Sequence, residues 1–106
     1  MILIPLANVP NQSFSIVLDG NQYDIWIYVT NNVSAIDIDR NNEEILLGQR
    51  LIPNYPVIPY RYLEAGNFII ITENGDYPVY TEFGITQFML YASQAELVAF
   101  RAANNG

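Results

Sequence analysis

Apolar and polar residues alternate with a period of two through much of the first half of the chain, as in strands with one buried face. Phe14, Ile16 and Leu18 alternate with Ser13, Ser15 and Val17. Asp19-Gly20-Asn21 follows as a tight-turn signal, because Asp-Gly favours backbone at positive φ. Tyr23, Ile25, Ile27 and Val29 then share one face, and Asp24, Trp26 and Tyr28 share the other. Residues 13–29 therefore predict a hairpin. After the Asn31-Asn32 turn, Val33, Ala35 and Ile36-Asp37-Ile38 predict a third strand. Its partner is expected over residues 45–52, beyond the Asp39-Arg40-Asn41-Asn42 turn and broken by Gly48. Upstream, residues 1–6 read as a short apolar edge strand whose pairing Pro5 limits.

The middle of the chain changes character. Pro53, Pro56 and Pro59 recur every three residues among Tyr55, Tyr60 and Tyr62. That spacing forbids a helix or a regular ladder strand. Residues 53–66 are expected to be an ordered loop whose Tyr rings pack against the sheet. Residues 68–72 form a continuous β-branched run, which suits a strand covered on both faces. Asn74-Gly75 predicts a second hairpin turn, with 77–81 as a return strand weakened by Pro78 and 86–92 as the last strand. Ser93 and Glu96 make a capping box ahead of Leu97, Val98 and Phe100. They predict a short C-terminal helix that Asn104-Asn105-Gly106 ends and frays. The fold expected is mainly β: an antiparallel β-sandwich or small barrel with one short C-terminal helix, forming a single domain over 1–106.

Half of the 106 residues, 51%, are hydrophobic, which supplies a core. Charge narrows the function classes. The net charge is −7, from 11 acidic residues and four arginines, Arg40, Arg50, Arg61 and Arg101, with no Lys. Phosphate backbones and anionic membrane surfaces are bound by clustered cations. Four scattered arginines argue against nucleic acid and membrane as partners. There is no Cys and no His, so disulfides, thiolate nucleophiles, imidazole bases and the common zinc sites are excluded. Residues 1–6 lack the basic start of a signal peptide, and no apolar run approaches the length of a spanning helix.

The remaining candidate sites are weak as chemistry. Asp37-Ile38-Asp39-Arg40-Asn41 begins like a calcium loop, but the sixth and twelfth positions are Asn42 and Gly48 where Gly and Glu are required. Alternating acids at a strand end explain the same residues. A facing carboxylate pair is the one acid–base route open, and no acidic residue sits in a context that marks it. Ser13, Ser15, Ser34 and Ser93 have no nucleophile-elbow setting. No catalytic residue, metal ligand or cofactor is expected. The aromatic residues offer more. Trp26 and Tyr28 either lie in a strand buried on both faces or present a rigid contact surface. Tyr55, Tyr60 and Tyr62 pose the same choice. Ile2, Leu3 and Ile4 sit on a strand whose unpaired edge can template a neighbour. These eight residues are the candidate interface.

Residues 10–23, Pro-Asn-Gln-Ser-Phe-Ser-Ile-Val-Leu-Asp-Gly-Asn-Gln-Tyr, together with the opening Ile2-Leu3-Ile4-Pro5-Leu6, resemble a known family. Ile45-Leu46-Leu47-Gly48 and Leu51-Ile52-Pro53 extend the likeness. The chain is similar to the small baseplate proteins, described as plugs, of contractile-tailed phages. The match is most specific over 10–23 and runs over 1–75; the Pro- and Tyr-rich stretch and the C-terminal helix depart from it. The resemblance implies a β-rich structural protein of the virion tail, made in the host cytoplasm and without enzymatic activity. It implies several copies around the tail axis, near the hub and the base of the tube. Hub, tube and sheath-proximal subunits would be its partners. Two rivals stand beside it: a carbohydrate-binding β domain using the aromatic face as a platform, and an enzyme using a carboxylate pair.

Overall fold

The computed structural model describes residues 1–104. Four strands, β2 (Gln12–Leu18), β3 (Asn21–Thr30), β4 (Val33–Arg40) and β5 (Glu43–Arg50), form an antiparallel meander in sequence order. Each connection is a two-residue turn with both central residues at positive φ: Asp19-Gly20, Asn31-Asn32 and Asn41-Asn42. That conformation matches the right-handed twist of the flanking strands, and Asp, Asn and Gly tolerate it best. The Asn41 side chain also clamps the neighbouring turn. Its Oδ1 accepts from Gln22 N at 2.9 Å, and its Nδ2 donates to Asn21 Oδ1 at 3.0 Å.

A second antiparallel sheet runs in the order β1 (Ile2–Ile4), β7 (Phe88–Ala92), β6 (Asn67–Ile71). The two sheets are not closed into a barrel, so the fold is a sandwich. Ile25, Ile27, Ile36 and Ile38 from the larger sheet meet Ile4, Phe68, Ile70 and Met89 from the smaller one in one buried cluster. Three aromatic rings join the layers. Phe68 packs edge-on to Tyr23 at 5.2 Å and against Tyr91 at 5.4 Å between centroids. The opposite face of β6 is covered as well, because Ile69 and Ala92 pack on Leu97 of the helix α1 (Gln94–Asn104). The expectation of a strand covered on both faces holds for this reason.

The Ser93 box forms as expected. Ser93 N donates to Glu96 Oε1 at 3.0 Å, and Glu96 N donates to Ser93 Oγ at 3.3 Å. Ser93→Ala should lower stability by about 1 kcal/mol, seen as a melting point roughly 4–8 °C lower. Helix α1 extends through Asn104. The expected fraying at Asn105-Gly106 lies outside the described residues.

Other expectations need correction. Residues 77–81 are not a return strand. Glu73–Gly75 is a 3-10 turn, and the chain beyond it crosses to the other sheet. Pro78 has no N–H to give a ladder. Side chains hold this segment instead. Ser34 Oγ donates to Pro78 O at 3.1 Å, and the buried Gln87 accepts from Val79 N at 2.9 Å. The last strand starts at Phe88 rather than at 86, since Glu82 O gathers the amides of residues 85–87 into a turn. The Pro-rich stretch makes no regular strand, yet its non-proline amides pair with β6. Asn54 N donates to Ile70 O at 2.8 Å and Val57 N to Phe68 O at 2.7 Å.

Candidate interaction surface

Ile4 points into the core between the sheets and is 1% exposed; of the three strand candidates only Ile2 and Leu3 remain at the surface. Leu3 lies opposite Leu90, and β1 is the end strand of its sheet, so its outer edge has no ladder partner among the described residues. Unpaired N–H and C=O groups beside apolar side chains are what strand addition requires.

Trp26 and Tyr28 do share the outer face of β3, with Ile25 and Ile27 in the core. Their roles differ. Trp26 stands opposite Ser13 and Asp37 and is 40% exposed. Tyr28 is half-buried, and its hydroxyl donates to Asp37 Oδ1 at 2.7 Å. The same oxygen accepts from Gly48 N at 2.7 Å. Gly48, at φ +66°, sits where the β4–β5 register shifts, so Tyr28 and Asp37 pin a bulge in the edge strand. That hydrogen bond, then burial and the Asp37 charge, push the Tyr28 phenol above its usual range.

The tyrosine loop was expected to pack its rings on the sheet. It does not: Tyr55, Tyr60 and Tyr62 are 66%, 55% and 83% exposed. The backbone pairing of residues 54 and 57 with β6 takes the loop's inner side for Val57 and Ile58, which are buried. The rings are left outside, with Tyr60 and Tyr62 tilted against each other at 6.0 Å. The loop base is rigid. Buried Asn67 accepts from Ile58 N at 2.8 Å and donates to Ile58 O at 2.9 Å, imitating a strand partner. Asn67 also donates to Glu64, whose carboxylate is paired by Arg101 of α1.

Sequence reasoning missed three surface features. Leu47 is turned outward by the adjacent bulge. Arg50 stacks over the Tyr77 ring at 4.4 Å. Arg50, Arg61 and Arg101 all line one groove of about 950 Å³ beneath the proline loop. Gly48 was a signal for the first; the other two depend on contacts between distant segments.

A small β-sandwich with an open strand edge and solvent-facing aromatic rings has the architecture of a contact-forming structural protein. The chain belongs to the family described as cyanophage baseplate Pam3 plug gp18, whose model matches residues 1–95. No curated protein matches the chain. The resemblance carried by residues 10–23 is therefore borne out. The match takes in the Pro- and Tyr-rich stretch and continues past residue 75 to the first turn of α1. A structural role in the baseplate, among other tail proteins of the virion, follows from that membership.

Proposed function

We propose that this chain acts without enzymatic activity as a connector in the tail. It holds hub, tube or sheath-proximal neighbours by strand addition to β1 and by burial of Trp26 and the Tyr55, Tyr60 and Tyr62 rings. The observation that carries the reading is the open edge of β1, flanked by surface-facing Ile2 and Leu3, in a member of a baseplate plug family. Aromatic rings held out by a braced loop add rigid contact area at little entropic cost. Several copies around the tail axis, incorporated after synthesis in the host cytoplasm, complete the picture.

Leu3→Glu and Tyr62→Ala are expected to leave the melting point of the isolated chain within a few degrees, because both side chains are largely exposed. Incorporation into tail particles should fall about tenfold or more for Leu3→Glu, and less for Tyr62→Ala. Particle yield and thermal melting on the same variants check this. Unchanged incorporation for both would overturn the proposed contacts. A glycan-dependent shift in Trp26 fluorescence would favour the carbohydrate reading instead.

A further inference from the structure

Charge is unevenly distributed over the surface. Asp24 stands directly opposite Asp39, and Asp39 directly opposite Glu44, on the outer face of β3, β4 and β5. Like charges in register across a sheet destabilise it. Among the described residues the ion pairs are Arg101 with Glu64 and the Met1 amino group with Glu96, so no cation there pairs with this row; its one side-chain donor is the neutral Ser15 hydroxyl, which donates to Asp24 Oδ1. The groove beneath the proline loop is the converse. Exposed Arg50 and Arg61 line it, and neither has a carboxylate partner among the described residues, although the chain carries 11 acids. Between them lie apolar side chains, Ile52, Tyr55 and Pro56 among them. At about 950 Å³ the groove is large enough to receive part of another protein's surface rather than a single side chain.

We infer that the arginine-lined groove is the docking site for a second copy of this chain, which presents its Asp24–Asp39–Glu44 row. The inference rests on the structural reading above and names one partner within it. Charge complementarity selects the occupant: each surface lacks on its own copy the counter-charge that the other displays. Planar guanidinium groups at the groove suit carboxylates, and the row's mutual repulsion is relieved on docking. The two surfaces are different, so the contact is heterologous and closes a ring or extends a stack, according to the rotation between copies. The net charge of −7 opposes association at long range. At physiological ionic strength, screening over about 8 Å removes most of that term and leaves the contact pairs.

The test uses two full-length variants with neutral replacements, Arg50→Gln/Arg61→Gln and Asp39→Asn/Glu44→Gln, so that the altered groove and the altered row cannot attract each other, followed by sedimentation equilibrium. Arg50, Arg61 and Glu44 are exposed and Asp39 is half-buried on the outer face, and melting curves check that the fold survives. The unmodified chain should self-associate, and each variant alone should do so at least about tenfold more weakly. An equimolar mixture of the two should form a one-to-one complex that does not grow further, because it retains one intact groove and one intact row. A monomeric unmodified chain, variants that associate normally, or a mixture that stays monomeric would each overturn the inference. Incorporation into tail particles tests the baseplate reading separately. A chain that enters particles but never self-associates refutes the groove assignment alone.

Discussion

Replacing Gly66 with alanine is expected to destabilise the fold by about 3–5 kcal/mol, lowering the melting point by roughly 15–30 °C. Two independent penalties meet at this position. Gly66 has φ +105°, a conformation that L side chains rarely adopt. An added Cβ would also lie 2.0 Å from the Tyr91 hydroxyl oxygen and 2.5 Å from Cζ. Tyr91 has nowhere to go. Its hydroxyl donates to Asp19 Oδ2 at 2.8 Å and lies 3.1 Å from Ala65 O, and its ring is packed on Phe68 and Tyr23. Burial, followed by the Asp19 hydrogen bond, holds its phenol protonated far above the usual range. Gly75→Ala is the control: its φ is +69° and nothing lies within 4 Å of the added Cβ. It should cost about 1 kcal/mol by thermal denaturation. Equal melting points for the two variants would mean that Tyr91 yields freely and that the aromatic joint between the sheets is soft.

The same contrast between local and distant determinants explains what the sequence made legible. The meander was readable because Asp19-Gly20, Asn31-Asn32 and Asn41-Asn42 encode their own backbone conformation within two residues. The double cover of β6 was readable because the run of apolar residues leaves no polar face. The passage from β6 to β7 was not readable, because it depends on Ser34 and Gln87 bonding to a segment that Pro78 keeps out of a ladder. The outward tyrosines were unreadable for a related reason. Which side of the loop faces inward is decided by Asn54 and Val57 bonding to β6, and by Asn67 bonding to Ile58. Ile4 shows the finest failure. The edge strand was evident, but not how far it reaches over the core: Ile2 and Ile4 share one parity, and only Ile4 lies deep enough to pack between the sheets. The arginine groove gathers residues 50, 61 and 101, whose proximity exists only after both sheets and the helix have packed.

Arg101→Ala should cost about 3 kcal/mol at neutral pH, with a melting point roughly 10–20 °C lower, and the deficit should shrink on acidification. The Glu64 side chain has no solvent exposure, and Arg101, largely buried itself, is its cation. Burial alone would raise the Glu64 pKa. The hydrogen bonds from Arg101 and Asn67, with the Arg101 charge, outweigh burial and bring it below its ordinary 4.5. A depressed folded-state pKa stabilises the native state fully above pH 4.5, and that stabilisation is lost as pH falls through the folded value. Without Arg101 the sign reverses. Burial then holds the Glu64 pKa above 4.5, so the variant is penalised at neutral pH and recovers as the carboxyl takes up a proton. Denaturation curves of both proteins between neutral and acid pH should therefore converge, whatever the other carboxylates contribute to each. Adding Glu64→Gln to the variant should recover part of the loss at neutral pH and abolish the variant's own recovery on acidification, because an amide has no proton to gain, leaving only the decline of the unmodified protein to narrow the gap. A pH-independent gap would show that Arg101 matters through its packing on the loop base, with the ion pair contributing little.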